Sequence, residues 1–232
     1  MPGMTSDPVV QWQPPLLAVA DSGVFPLRQV WCVGRNYAEH AREMGVDPER
    51  SEPVFFAKPA ACMHQQRSVT YPADTTELHH EVELVVFLSG GGRNLAADDW
   101  EQHIFGYAVG VDLTRRDLQA RFKQSGQPWE LSKGFDQAAP IGRIVPASDW
   151  KPEPSAAIEL QVNGAVRQQA TLAAMLWSVP VLLEQLSRSV TLGAGDALMT
   201  GTPAGVGPLQ VDDRVTARIH GLPVLEFSVR EQ

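Results

Sequence analysis

Residues 81–88 read EVELVVFL. In an extended strand successive side chains alternate between faces, so Glu81, Glu83, Val85 and Phe87 fall on one side and Val82, Leu84, Val86 and Leu88 on the other. One side is wholly apolar and the other is apolar beyond the glutamates, which predicts a strand buried on both faces. Two carboxylates about 7 Å apart along such a face repel each other unless something positive stands between them. A hard cation satisfies that demand, whereas a bare Glu-x-Glu at a strand start is more often simply solvated.

Downstream, the spacing predicts a tight turn at GGG (90–92), a short helix at 96–104 and an apolar strand at 107–112 that ends on Asp112. A carboxylate at the carboxyl end of an apolar strand is placed where functional groups are often presented. Three carboxylates without a Cys or His cluster favour Mg²⁺, Mn²⁺ or Ca²⁺ over zinc, with open positions for water and substrate. The segment TRRDLQARFKQ (114–124) is amphipathic, with Thr114 or Asp112 available as cap. Arg116, Gln119 and Lys123 share one helical face, and Leu118 and Phe122 anchor the other. That face suits a carboxylate or is an ordinary solvated one, and Lys133 reads most simply as a surface lysine.

Further along, IELQVNGAVRQQ is a hairpin on Asn163–Gly164, which suits a type I′ turn. A helix over 179–188 is expected after Ser178, with Pro180 in its first turn, and the chain ends in strands and another hairpin.

Upstream, GRNYAEHAREMG (34–45) predicts a helix at 36–44 with Asn36 as cap and Gly45 as stop. Tyr37, His40 and Glu43 then stand at successive i+3 steps, so imidazole and carboxylate can meet and form a general-base unit. A helix this short is marginal alone, and residues 36–45 are a candidate lid. Before it, residues 8–35 look strand-rich, including VVQWQ and RQVWCVG, and a further strand lies near Val54–Ala57.

These elements describe an α+β chain with strands in excess, read as one catalytic domain over 1–232 with residues 1–30 a strand-rich N-terminal segment. Strands separated by turns argue against a doubly wound sheet or a TIM barrel. The three glycines are followed by no Lys-Ser/Thr and are not a phosphate loop. The composition is globular, with 44% hydrophobic and 20% charged residues. A net charge of −8 repels nucleic acid and anionic membranes, while a small anionic substrate stays compatible through local Arg and Lys. No apolar run spans a bilayer, and the N-terminus lacks a signal-peptide pattern, which places the expectation in the cytoplasm. Cys32 and Cys62 are expected reduced and buried.

Taken in order, GRNYAEHAREMG (34–45), FFAKP (55–59), LHHEVEL (78–84), GYAVGVDLTRRDLQ (106–119), GQPWELSKGFD (126–136) and LMTGTPAGVG (198–207) resemble the fumarylacetoacetate hydrolase superfamily. The resemblance is to its short, single-domain branch of fumarylpyruvate and acylpyruvate hydrolases. It implies a mixed β-sandwich roll with a few short helices, usually assembled as a homodimer. It also implies that Glu81, Glu83 and Asp112 bind Mg²⁺ or Mn²⁺, that His40 with Glu43 activates water, and that Lys133 faces the reacting oxygens. Arg116, Gln119 and Thr202 look like the family's substrate contacts, with Arg35 and Tyr37 as additions. Longer hydrolases of the superfamily carry another acidic ligand shortly before the catalytic histidine, and Trp31–Gly34 has none, as in the short branch.

The expected activity is divalent-metal-dependent cleavage of a 2,4-dioxo acid, fumarylpyruvate foremost. The alternatives are an oxaloacetate decarboxylase, a related decarboxylase or isomerase, and a non-enzymatic module whose metal only stabilises the fold.

Overall fold

The structure is a computed structural model that describes residues 10–21, 23–43 and 52–231. Its centre is a six-stranded sheet in the order Val145–Pro146, Ile104–Val111, Val82–Leu88, Asp196–Met199, Gln29–Gly34 and Val54–Lys58. All its neighbours are antiparallel except Asp196–Met199 and Gln29–Gly34. A five-stranded sheet follows the order Ala165–Thr171, Ala157–Val162, Arg214–Ile219, Leu225–Arg230 and Ser68–Thr70, its last pair parallel. The strand-rich α+β roll expected from the sequence is the fold observed.

Val82–Leu88 is buried along its whole length, and its two faces serve two cores. Val82, Leu84, Val86 and Leu88 pack with Ile158, Leu160, Val215 and Ala217 of the second sheet and with Leu182, Leu183 and Leu186 of the helix Val179–Ser189. Val85 and Phe87 face the opposite way, onto Leu17, Phe25, Ile141 and Ile144. Phe25 comes from the hairpin Leu16–Ala18/Val24–Pro26, and its ring lies 5.2 Å from that of Phe87, edge to face. Each fully buried aliphatic or aromatic side chain of this kind contributes about 1.5–3 kcal/mol, so the period-2 pattern pins the register of the strand that carries Glu83.

Several local expectations change in the structure. Residues 10–13, the described part of VVQWQ, form no strand. The helix of the 34–45 motif runs Ala38–Glu43, and Gly45 lies outside the described residues. The Asn36 side chain instead ties distant segments together: its amide donates to the carbonyls of Trp177 and Thr200 and accepts the Trp177 N–H. The strand begins at Val82 rather than Glu81. The glycine run is not a tight turn: a Cβ on Gly91 would meet the Leu192 carbonyl carbon at 2.5 Å, so the residue is small because backbone passes against it. Residues Ala97–His103 form a 3₁₀ helix. Neither Thr114 nor Asp112 caps the helix Arg116–Ser125; Thr114 belongs to a two-residue strand before it.

Other expectations hold. Asn163 and Gly164 both have positive φ (51° and 79°), as a type I′ turn requires, between Ala157–Val162 and Ala165–Thr171. Ser178 precedes Val179–Ser189 with Pro180 in its first turn, though its side chain makes no capping hydrogen bond. Cys32 and Cys62 are free and buried. Among the described residues no helix is long and apolar enough to cross a membrane.

Candidate functional site

Strand pairing builds the acid cluster. Val82 faces Val111 and Glu83 faces Gly110 across the central ladder, so one strand starts where its neighbour ends. Glu81 precedes the first and Asp112 follows the second, and the Asp112 N–H donates to the Glu81 carbonyl at 2.8 Å. One carboxylate oxygen from each of Glu81, Glu83 and Asp112 lies within 4.8 Å of the others, and all three residues are buried.

Buried carboxylates demand positive partners. Lys133, only 3% exposed, places Nζ 2.7 Å from both Glu81 Oε2 and Asp112 Oδ2, which overturns the reading of it as a surface lysine. Arg116 pairs with Glu81 Oε1 and donates from Nη1 to Gln119 Oε1 at 2.5 Å. Lys58 is the cation that sequence reasoning missed, although it lies in the FFAKP motif. Its ammonium sits 2.8 Å from Asp112 Oδ1, but its hydrogens go to the carbonyls of Leu113, Lys133 and Ala138. Asp112 Oδ1 is therefore ion-paired yet buried without a hydrogen bond. Glu83 Oε2 accepts the Gly201 N–H at 2.7 Å. Gly201 has φ of 92°, and a Cβ there would lie 2.7 Å from that of Asn36, so only glycine brings this N–H in.

The electrostatics are divided. Burial and the neighbouring Asp112 and Glu81 carboxylates push Glu83 well above the usual carboxylate range. Burial would also raise Glu81, but Lys133 and Arg116 beside it more than reverse this and hold it well below that range. Burial works against the Lys133 ammonium, and Asp112 and Glu81 overcome it and raise its pKa. Three carboxylates this close, one without an ion-pair partner among the described residues and one with an orphaned oxygen, fit a hard divalent ion.

A cavity of about 360 Å³ opens onto this cluster. Arg35, His40, Glu81, Glu83, Arg116, Gln119, Lys133 and Thr202 all line it, together with Lys123, Phe56 and Trp129. Asp112 lies behind Glu81 and Lys133. Glu43 stands outside the lining but reaches His40, with Oε2 3.4 Å from Nδ1, while its Oε1 accepts the Gly205 N–H at 3.3 Å. Tyr37 is buried, is not part of the lining, and its hydroxyl has no partner among the described residues. Thr202 Oγ1 accepts from Gln168 Nε2 at 2.8 Å. Gln168 also accepts the Val82 N–H at 3.1 Å and lies 3.0 Å from His80 Nδ1, so it clips residues 202–203 to the base of the acidic strand. Nothing in the hairpin sequence marks it apart from a polar residue in a strand.

The family model described as fumarylacetoacetate (FAA) hydrolase C-terminal matches residues 29–230. A crystal structure of fumarylpyruvate hydrolase from Pseudomonas aeruginosa, in complex with Mn²⁺ and pyruvate, is 44% identical and superposes with a TM-score of 0.94, covering 96% of this chain and 98% of that one. Among curated proteins, oxaloacetate tautomerase YcgM of Escherichia coli is 42% identical over 200 residues, 85% of this chain and 90% of the relative. The mitochondrial oxaloacetate tautomerase FAHD1 of Homo sapiens is 38% identical over 214 residues, 89% of this chain and 96% of the relative.

Proposed function

The chain belongs to the fumarylacetoacetate hydrolase family, and from that membership and its acid cluster we propose a divalent-metal-dependent hydrolase that cleaves the carbon–carbon bond of an acylpyruvate, converting fumarylpyruvate to fumarate and pyruvate. The observation that carries this reading is the meeting of Glu81, Glu83 and His40 on one cavity, with a carboxylate oxygen of Asp112 within 4.8 Å of one from each glutamate. The likeness to a fumarylpyruvate hydrolase that holds Mn²⁺ and pyruvate supports it.

Glu81, Glu83 and Asp112 would hold Mg²⁺ or Mn²⁺. When bound, the ion would supply positive charge to stabilise the negative charge that develops on the pyruvyl half as the bond breaks. His40 takes a proton from a water in the cavity, and Glu43 at its Nδ1 orients the ring and stabilises the imidazolium that forms. The oxygen of that water bonds to the 4-oxo carbon, and the bond between C3 and C4 breaks with its electron pair passing to the pyruvyl half. Reprotonation at C3 gives pyruvate, and the acyl half leaves as a carboxylic acid. Lys133 holds Glu81 and Asp112 in place and presents its ammonium to the same cavity. Arg116, Gln119 and Thr202 orient the substrate, and the helix Ala38–Glu43 acts as a lid that keeps bulk water out.

Oxaloacetate tautomerisation is the second reading, favoured by the two curated relatives. It uses the same site with His40 moving a proton between C3 and the enol oxygen and no attacking water. A panel of fumarylpyruvate, acetylpyruvate and oxaloacetate with Mn²⁺ separates the readings. Pyruvate formed from fumarylpyruvate, lost by about 10²–10⁴-fold in His40→Ala with metal binding retained, is the expected result. Accelerated keto–enol exchange of oxaloacetate without pyruvate from any substrate overturns it in favour of the tautomerase. Metal-dependent stabilisation with neither reaction leaves a binding module.

A further inference from the structure

The cavity carries more positive charge than its acid cluster uses. Lys133 and Arg116 are committed to Glu81 and Asp112. Two further cations, Lys123 and Arg35, line the same cavity, and among the described residues neither forms an ion pair with a carboxylate. Lys123 is exposed, so it stands at the mouth, with Nζ 5.7 Å from the centroid of the Trp129 ring. Trp129 in turn packs on Phe56 at 4.9 Å, and both line the cavity. Arg35 is held at φ of 65°, a left-handed conformation uncommon outside glycine and retained where the surroundings over-determine it. Partial burial of the Lys123 ammonium, and then Arg116 and Arg35 close by, lower its pKa.

We propose that Lys123 and Arg35 form an anion subsite at the cavity mouth that takes a second carboxylate, making the enzyme selective for acylpyruvates whose acyl half is itself an acid. This rests on the hydrolase reading and specifies its substrate class. The pyruvyl end goes to the acid cluster, the apolar middle of the acyl chain lies along Phe56 and Trp129, and the distal carboxylate meets Lys123 and Arg35. A neutral acyl group leaves both cations unanswered.

The test is calorimetric binding of fumarylpyruvate and acetylpyruvate to Mn²⁺-loaded protein carrying His40→Ala, with and without Lys123→Met, which keeps an unbranched apolar stem against Trp129. The ratio of the two dissociation constants is expected to move toward unity by about 10- to 100-fold in Lys123→Met, the effect of losing one charge-assisted hydrogen bond, and Lys123→Arg is expected to keep most of the preference. An unchanged ratio, equal weakening of both ligands or no binding of either overturns the subsite. Pyruvate release by the otherwise unmodified enzyme is followed in parallel. Its absence from both substrates defeats the hydrolase reading, while the binding ratio still judges the subsite.

Discussion

A lysine buried beside carboxylates and a lysine waving in solvent look identical in a sequence. Lys58 and Lys133 sit in short apolar motifs, yet both are almost fully buried, and Lys58 gives its hydrogens to three carbonyls while standing against Asp112. Histidine is equally dependent on context. His64 Nδ1 accepts the Gln66 N–H at 3.0 Å and Nε2 lies 3.3 Å from the Gln137 carbonyl, a pair of bonds that only the neutral ring makes together. Burial accordingly lowers its pKa below the ordinary 6.5. Between that lowered value and 6.5 the unfolded chain binds a proton that the folded chain refuses, so stability rises with pH there and is lost as pH falls from 6.5. Denaturant midpoints at pH 7 and pH 5 are expected to separate more for the native chain than for His64→Gln; equal separations would refute the assignment.

At the scale of the element, the hairpin Ala157–Val162/Ala165–Thr171 shows how one side chain can join a remote strand to the site. Its second strand is mostly exposed, but Gln168 is fully buried and serves His80, Val82, Thr202 and Pro203. Replacing Gln168 by Leu leaves the Val82 N–H and the Thr202 hydroxyl without this buried partner. Each such group costs about 1–3 kcal/mol, so a loss of roughly 2–6 kcal/mol is expected from denaturant unfolding. A change under about 0.5 kcal/mol, the usual range for surface substitutions, would mean that the amide bonds are dispensable. The helix Arg116–Ser125 also ties a remote segment to the site: Leu118 and Gln119 are buried, and Arg116 reaches Glu81.

Across the whole molecule, an ion held by the acid cluster would couple its binding to folding. Core packing on both faces of the central strand fixes Glu83 beside Asp112 and Glu81, and burial together with those two carboxylates raises its pKa. A divalent ion that binds only the folded chain stabilises it by about 2.7 kcal/mol at a hundredfold excess over its dissociation constant. For a chain of this size that is roughly a 5–10 °C rise in Tm on adding Mn²⁺ after chelation. The same rise in Glu83→Gln/Asp112→Asn protein would mean that the ion binds elsewhere.

How much of this was legible in the sequence follows the range of the interactions. The period-2 burial of Val82–Leu88, the Asn163–Gly164 turn, the His40–Glu43 pair and the shared face of Arg116 and Gln119 are set by neighbours a few residues apart, where geometry follows directly from spacing. The acid cluster was readable as three carboxylates at strand ends, but its convergence depends on the register between two strands. Asn36, Lys58 and Gln168 could not be placed, because their partners lie up to 164 residues away and each donates to backbone carbonyls that every residue possesses. The GGG run misled for a related reason: glycine marks both a free backbone turn and a close backbone approach, and only the presence of Leu192 against Gly91 distinguishes them. Local sterics are written in the order of residues, whereas the satisfaction of buried polar groups is settled only when distant segments meet.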